Sequence, residues 1–117
     1  RPDIVLTNAF GEIPGNDGSS RLMLNRSATQ HQALLIDLEG TNSNKFGIGA
    51  KLTLTDASGE MIGFRIQGLN TNISQDTYVI HFGLGDYQAP YKLMVDWPDH
   101  TTSSHFFSAP GRHGVKQ

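Results

Sequence analysis

Nearly every apolar run in this chain alternates with period two, and none keeps helical spacing for three turns. That pattern confines the chain to strands with one buried face. Ile48, Ala50, Leu52 and Leu54 face one way, while Gly49, Lys51, Thr53 and Thr55 face the other. Ile62, Phe64 and Ile66 repeat the pattern against Met61, Arg65 and Gln67. Between these runs lies Asp56-Ala57-Ser58-Gly59, a short polar linker ending in glycine, which predicts a tight hairpin. Leu34/Ile36/Leu38, Tyr78/Ile80/Phe82 and Leu93/Val95/Trp97 predict further strands of the same kind. Shorter strands are expected over residues 3–7 and 21–25, at His105-Phe106-Phe107 and near 114–117. No connection carries an amphipathic helix, so a βαβ arrangement is not expected. The predicted fold is all-β: an antiparallel two-sheet β-sandwich of seven to nine short strands, with an open barrel as the alternative.

Composition narrows the function classes. With 117 residues the chain suits one domain, burying about two-thirds of its extended-chain surface on folding. Only 17% of residues are charged, so the surface is left to Ser, Thr, Asn, Gln and Gly, as in many secreted β-domains. A net charge of −2 supplies no basic field, so no nucleic-acid partner is expected. There is no polybasic cluster or long apolar run, so membrane insertion is not expected either. The absence of cysteine excludes disulfides, thiolate metal sites and thiol nucleophiles. Arg1-Pro2-Asp3 begins mid-pattern, which reads as a segment of something longer.

One stretch is unlike the rest: Gly40-Thr41-Asn42-Ser43-Asn44-Lys45-Phe46-Gly47-Ile48-Gly49-Ala50-Lys51, a polar, glycine-punctuated loop running straight into a strand. It is echoed by His81-Phe82-Gly83-Leu84-Gly85-Asp86 and Val95-Asp96-Trp97-Pro98. In this order the three pieces resemble the ASPIC/UnbV domain, the C-terminal module of cartilage acidic protein-like chains and of many bacterial secreted proteins. The resemblance spans residues 32–116. Residues 1–27 are similar to the tail of an FG-GAP propeller-type repeat, without its Asp-rich calcium loop. The resemblance therefore implies a repeat remnant over 1–27 packed on an ASPIC/UnbV-like sandwich over 28–117, with a propeller region upstream in the same chain. It also implies an extracellular or cell-surface location.

Candidate sites follow from residue type. In the opening loop, Asn42, Asn44 and Lys45 could hydrogen-bond a sugar or an acidic group. The competing reading is a corner whose Asn and Ser side chains satisfy their own turn, with Gly47 and Gly49 adopting positive φ. Among the aromatics Tyr78, Tyr87, Tyr91 and Trp97, flat faces could stack on sugar rings. Trp97 keeps the period of Leu93 and Val95 and reads as core, whereas Tyr87 and Tyr91, flanking Gln88-Ala89-Pro90, read as exposed. In the sequence from His81 to Asp86, the glycine pair lacks the helix start a phosphate loop needs; Gly83 is read as room for an aromatic neighbour. His81 is expected to meet a backbone partner or solvent. His100, Asp99 and His105 are a weak transition-metal grouping. Asn16 and Asp17 form half of a calcium loop, the one cofactor candidate. Asn25-Arg26-Ser27 and Asn72-Ile73-Ser74 fit the N-glycosylation triplet. No nucleophile elbow or glycosidase carboxylate pair is present, so no catalytic residue is assigned.

The expected function is a non-catalytic accessory or interaction module, with a glycan or an extracellular matrix protein as partner. The alternatives are a purely structural cap on a β-propeller and a part of a biosynthetic or hydrolytic enzyme.

Overall fold

The computed structural model describes residues 3–6, 19–27, 31–68 and 77–117. The calcium candidates Asn16 and Asp17 and the triplet at Asn72 lie outside these residues. The chain divides into two compact units, residues 1–30 and 31–117.

In the first unit, β1 (Ile4–Leu6) and β2 (Arg21–Met23) pair antiparallel, with Ile4 opposite Met23 and Leu6 opposite Arg21. The Asp3 carboxylate accepts the Asn25 N–H at 2.7 Å, tying the ends of this ribbon together. Its apolar side chains are all exposed.

The second unit is a sandwich of seven strands: β3 (Ala33–Glu39), β4 (Lys51–Thr55), β5 (Met61–Ile66), β6 (Ile80–Gly83), β7 (Tyr91–Asp96), β8 (Thr102–Phe107) and β9 (Gly111–Lys116). One sheet runs β6-β3-β9 and the other β5-β4-β7-β8; neither closes into a barrel. The alternating runs supply the core between them. Leu34 and Ile36 of β3, Leu52 and Leu54 of β4, Leu93 and Val95 of β7, Phe82 of β6 and Val115 of β9 are all buried. Trp97 is core as predicted, 3% exposed, and its indole N–H donates to the Ser103 hydroxyl at 2.9 Å.

The predicted hairpin is present. Asp56 Oδ1 accepts from Ser58 N–H, Ser58 Oγ–H and Glu60 N–H, and Gly59 adopts φ +88°. The Ser58 hydroxyl and the backbone N–H groups hold the Asp56 carboxyl below its ordinary range.

Three expectations change. First, not every pair is antiparallel: β9 runs parallel to β3, with Leu34 opposite Gly111 and Glu39 opposite Lys116. Second, the face predicted for β5 is inverted along most of its length. Its partners place Arg65 opposite Leu52 and Gly63 opposite Leu54, so Phe64 and Ile66 share the outer face with Thr53 and Lys51. A bulge between Leu54 and Thr55 leaves Ile62 as the extra residue, which turns it onto the core. One inserted residue reverses the facing on either side of it. Third, Gly83 has no neighbour close to where a Cβ would stand, so it makes no room for an aromatic.

The inverted β5 has a use for Arg65. Its guanidinium lies 5.3 Å from the Phe82 ring centroid and covers the sandwich margin between β5 and β6. At the opposite margin Phe107 and His113 close the gap, ring centroids 4.6 Å apart.

Candidate functional site

The polar loop 40–50 connects the two sheets, and almost every group in it is held. Gly47 sits at φ +61°, and a Cβ there would meet Leu38 at 2.8 Å and the Trp97 ring at 3.3 Å. Only glycine brings the loop this close to the core. A Cβ on Gly40 would run into the Asn44 carbonyl oxygen. Asn44 is consumed by the corner itself: its Oδ1 accepts Ile48 N–H at 2.7 Å and its Nδ2 donates to Ile48 O at 2.8 Å. Ile48 is exposed, so the buried face of the next strand starts at Ala50, two residues later than the alternation predicts.

Two glutamines clamp this corner from outside it. Gln67, buried at the end of β5, donates its side-chain amide to Phe46 O at 3.2 Å and Tyr78 O at 2.9 Å. Gln117, just past β9, puts its Oε1 into a nest of donors: the N–H groups of Thr41, Asn42 and Ser43 at 3.0–3.1 Å and the Ser43 hydroxyl at 2.8 Å. Its Nε2 donates to Asp99 Oδ2 at 2.7 Å and Thr101 Oγ1 at 3.2 Å. One carboxamide thus bridges the 41–43 backbone and the 97–101 turn. Hydrogen bonds, led by that from the Thr101 hydroxyl, hold the Asp99 carboxyl below its ordinary range.

Beside this corner a groove of about 450 Å³ opens, lined by Asp37, Leu38, Glu39, Lys45, Phe46 and the 114–116 end of β9. Asp37 in this lining is gripped by Arg112 through two bonds of 2.6 and 2.8 Å. That pairing lowers the Asp37 pKa and raises that of Arg112. Lys116 stands 3.7 Å from Glu39. At the rim Phe46 stacks on Tyr78, ring centroids 4.4 Å apart and planes within 3°. Both rings stay partly exposed, 42% and 37%. The Lys45 ammonium lies 5.8 Å from the Phe46 centroid.

Of the residues singled out from sequence, only Lys45 lines the groove. Asn42 offers its backbone N–H to Gln117 and leaves its side chain exposed; Asn44 is structural. Tyr91 is not exposed: it is 6% accessible, keeps the period of Leu93 and Val95, and its hydroxyl donates to Tyr87 O at 3.1 Å. Tyr87 is half-buried against the same core. The metal grouping does not assemble. Asp99 is engaged by Thr101 and Gln117, while His105 faces the core side of β8 with its Nε2 2.9 Å from Ser103 Oγ. Among the described residues no three His, Asp or Glu side chains gather as a metal site. His81 Nε2 is buried and has no hydrogen-bond partner among the described residues, so the expected backbone partner is not found there. Phe46, Gln67 and Gln117 were not singled out in advance. Gln67 is polar in a strand and reads as outward-facing, and a residue that bonds 76 positions away leaves no local signal.

The loop and the Trp97 turn are therefore parts of one built corner, whereas the His81–Asp86 turn lies at the other end of β3, with Gly83 opposite Ala33. Residues 40–115 match the family described as ASPIC and UnbV. The chain belongs to the ASPIC/UnbV family. No curated protein and no solved structure matches it.

Proposed function

We propose that this ASPIC/UnbV domain is a non-catalytic accessory module of a secreted or cell-surface protein, binding glycan through the groove beside its corner. The observation that carries the reading is the half-exposed Phe46–Tyr78 stack beside a groove lined by Asp37, Glu39, Lys45 and Lys116. An aromatic face beside hydrogen-bonding groups suits a sugar ring, which has an apolar face and a polar edge. The glutamine clamps support this, because a rigid corner loses little conformational freedom when a ligand docks.

The test is affinity electrophoresis and a glycan array with the wild-type chain and Phe46→Ala. The variant is expected to keep its melting temperature and lose retention. Silence of the wild type on every glycan sinks the reading and leaves an extracellular protein as the partner to seek.

A second reading is favoured by the first unit. Ile4, Val5, Leu6, Leu22, Met23 and Leu24 are 48–66% exposed, on both faces of a two-stranded ribbon. An isolated ribbon of this kind is marginal in water. In this reading it is the tail of an FG-GAP-type repeat, and the domain caps the last blade of a propeller upstream in the same chain. The domain should then melt at higher temperature with that region attached, and equal melting counts against the cap.

A further inference from the structure

Charge in the groove is distributed so that one group is left over. Asp37 is neutralised by the two-pronged grip of Arg112, and Glu39 faces Lys116. Lys45 has no carboxylate partner among the described residues; its ammonium stands over the Phe46 ring. One face of Phe46 is taken by Tyr78, whose ring lies parallel at 4.4 Å. A sugar laid on the remaining aromatic surface brings the substituents of its ring toward an ammonium 5.8 Å from the centroid. That ammonium is a compact point charge on a flexible stem, able to leave the ring for a stronger counter-charge without disturbing the backbone. The backbone at Lys45 is fixed, because its carbonyl accepts the Gly40 N–H at 3.1 Å inside the clamped corner.

We infer that the groove takes an acidic saccharide, a uronate whose ring packs on Phe46 and whose carboxylate is bound by Lys45. The inference rests on the glycan-binding reading above and gives it a ligand class. A neutral sugar leaves the Lys45 charge unanswered. A sugar ring carrying several anionic groups would have to be met by more cations than the groove offers, since Arg112 and Lys116 already face carboxylates. One charge-assisted hydrogen bond beside one aromatic face defines the site.

The experiment uses the intact chain and two immobilised polymers: polygalacturonate, and the same polymer with its carboxylates methyl-esterified. Comparing them changes the charge and keeps the sugar. Retention is expected on polygalacturonate and not on the ester, and it should weaken as salt is raised from about 0.05 M to about 0.5 M. Lys45→Gln should weaken retention by about tenfold, the order expected for one hydrogen bond to a charged group. Lys45→Arg should restore most of it. Lys92→Gln, on the outer face of the other sheet opposite Phe106, should leave it unchanged. Equal retention by the ester overturns the acidic ligand while keeping glycan binding. So does wild-type retention by Lys45→Gln, or a matching loss in Lys92→Gln. If neither these polymers nor any neutral polysaccharide retards the chain, the glycan-binding reading falls and the acidic ligand with it.

Discussion

The β1–β2 ribbon and the seven-stranded sandwich use the same alternating pattern, yet their side chains end in opposite environments. Ile4 and Leu22 are 57% and 63% exposed, while Leu34 and Leu52 are 0% exposed. Period two dictates an extended backbone with two faces; it does not provide what covers either face. Each core face of the sandwich meets a second sheet, and among the described residues the ribbon has no second layer of its own. Apolar alternation is therefore evidence for a strand, and burial must be read from the partner.

The contrast can be tested by degrees. Its largest expected effect is Trp97→Ala. This empties the space under Gly47 and removes the indole N–H bond to the Ser103 hydroxyl, and should cost about 3–5 kcal/mol in denaturant unfolding. A loss under about 1 kcal/mol would mean the corner does not rest on this ring. Next is Gln117→Ala, which orphans the N–H groups of residues 41–43 at a partly exposed site. A cost of about 1–3 kcal/mol is expected. Amide exchange at residues 41–43 should accelerate even where the global melt barely moves.

A third test uses pH. Burial lowers the His105 pKa below its ordinary value of 6.5, so the unfolded chain takes up this proton more readily than the folded one. The stability due to neutral His105 is fully present above about pH 6.5 and is lost as pH falls below it. His105→Asn should remove that part of the acid dependence, read from melts across pH 5–8. The smallest effect is expected from Leu22→Ser in the ribbon, within about 0.5 kcal/mol for this chain. If it costs as much as a core truncation, the ribbon is covered after all and the comparison fails.

What could be read in advance depended on how far each residue reaches. The turn at Asp56–Gly59 was legible because its hydrogen bonds stay within five residues. So was the Gly47 and Gly49 backbone, because positive φ has few suppliers. The facing of Phe64 was not legible, since a bulge of one residue leaves the composition of β5 unchanged and reverses its sides. Tyr91 could have been placed in the core from its period with Leu93 and Val95; the turn-like Gln88-Ala89-Pro90 beside it pointed the other way. For the groove, only Lys45 was visible beforehand. Its other walls come from β3 and β9, and the pairing that joins Asp37 to Arg112 spans 75 residues.

The parallel seating of β9 against β3 has a consequence in time. β3 is the first strand of the sandwich to leave the ribosome, yet both neighbours that satisfy its backbone, β6 and β9, are translated later. Until β9 emerges, one edge of β3 stays open and the β9 wall of the groove does not exist. Contacts this distant in sequence slow folding, because a long loop must close before any contact repays it. The chain therefore completes this groove late, with Gln117 locking the corner only after the described strands of the sandwich are in place.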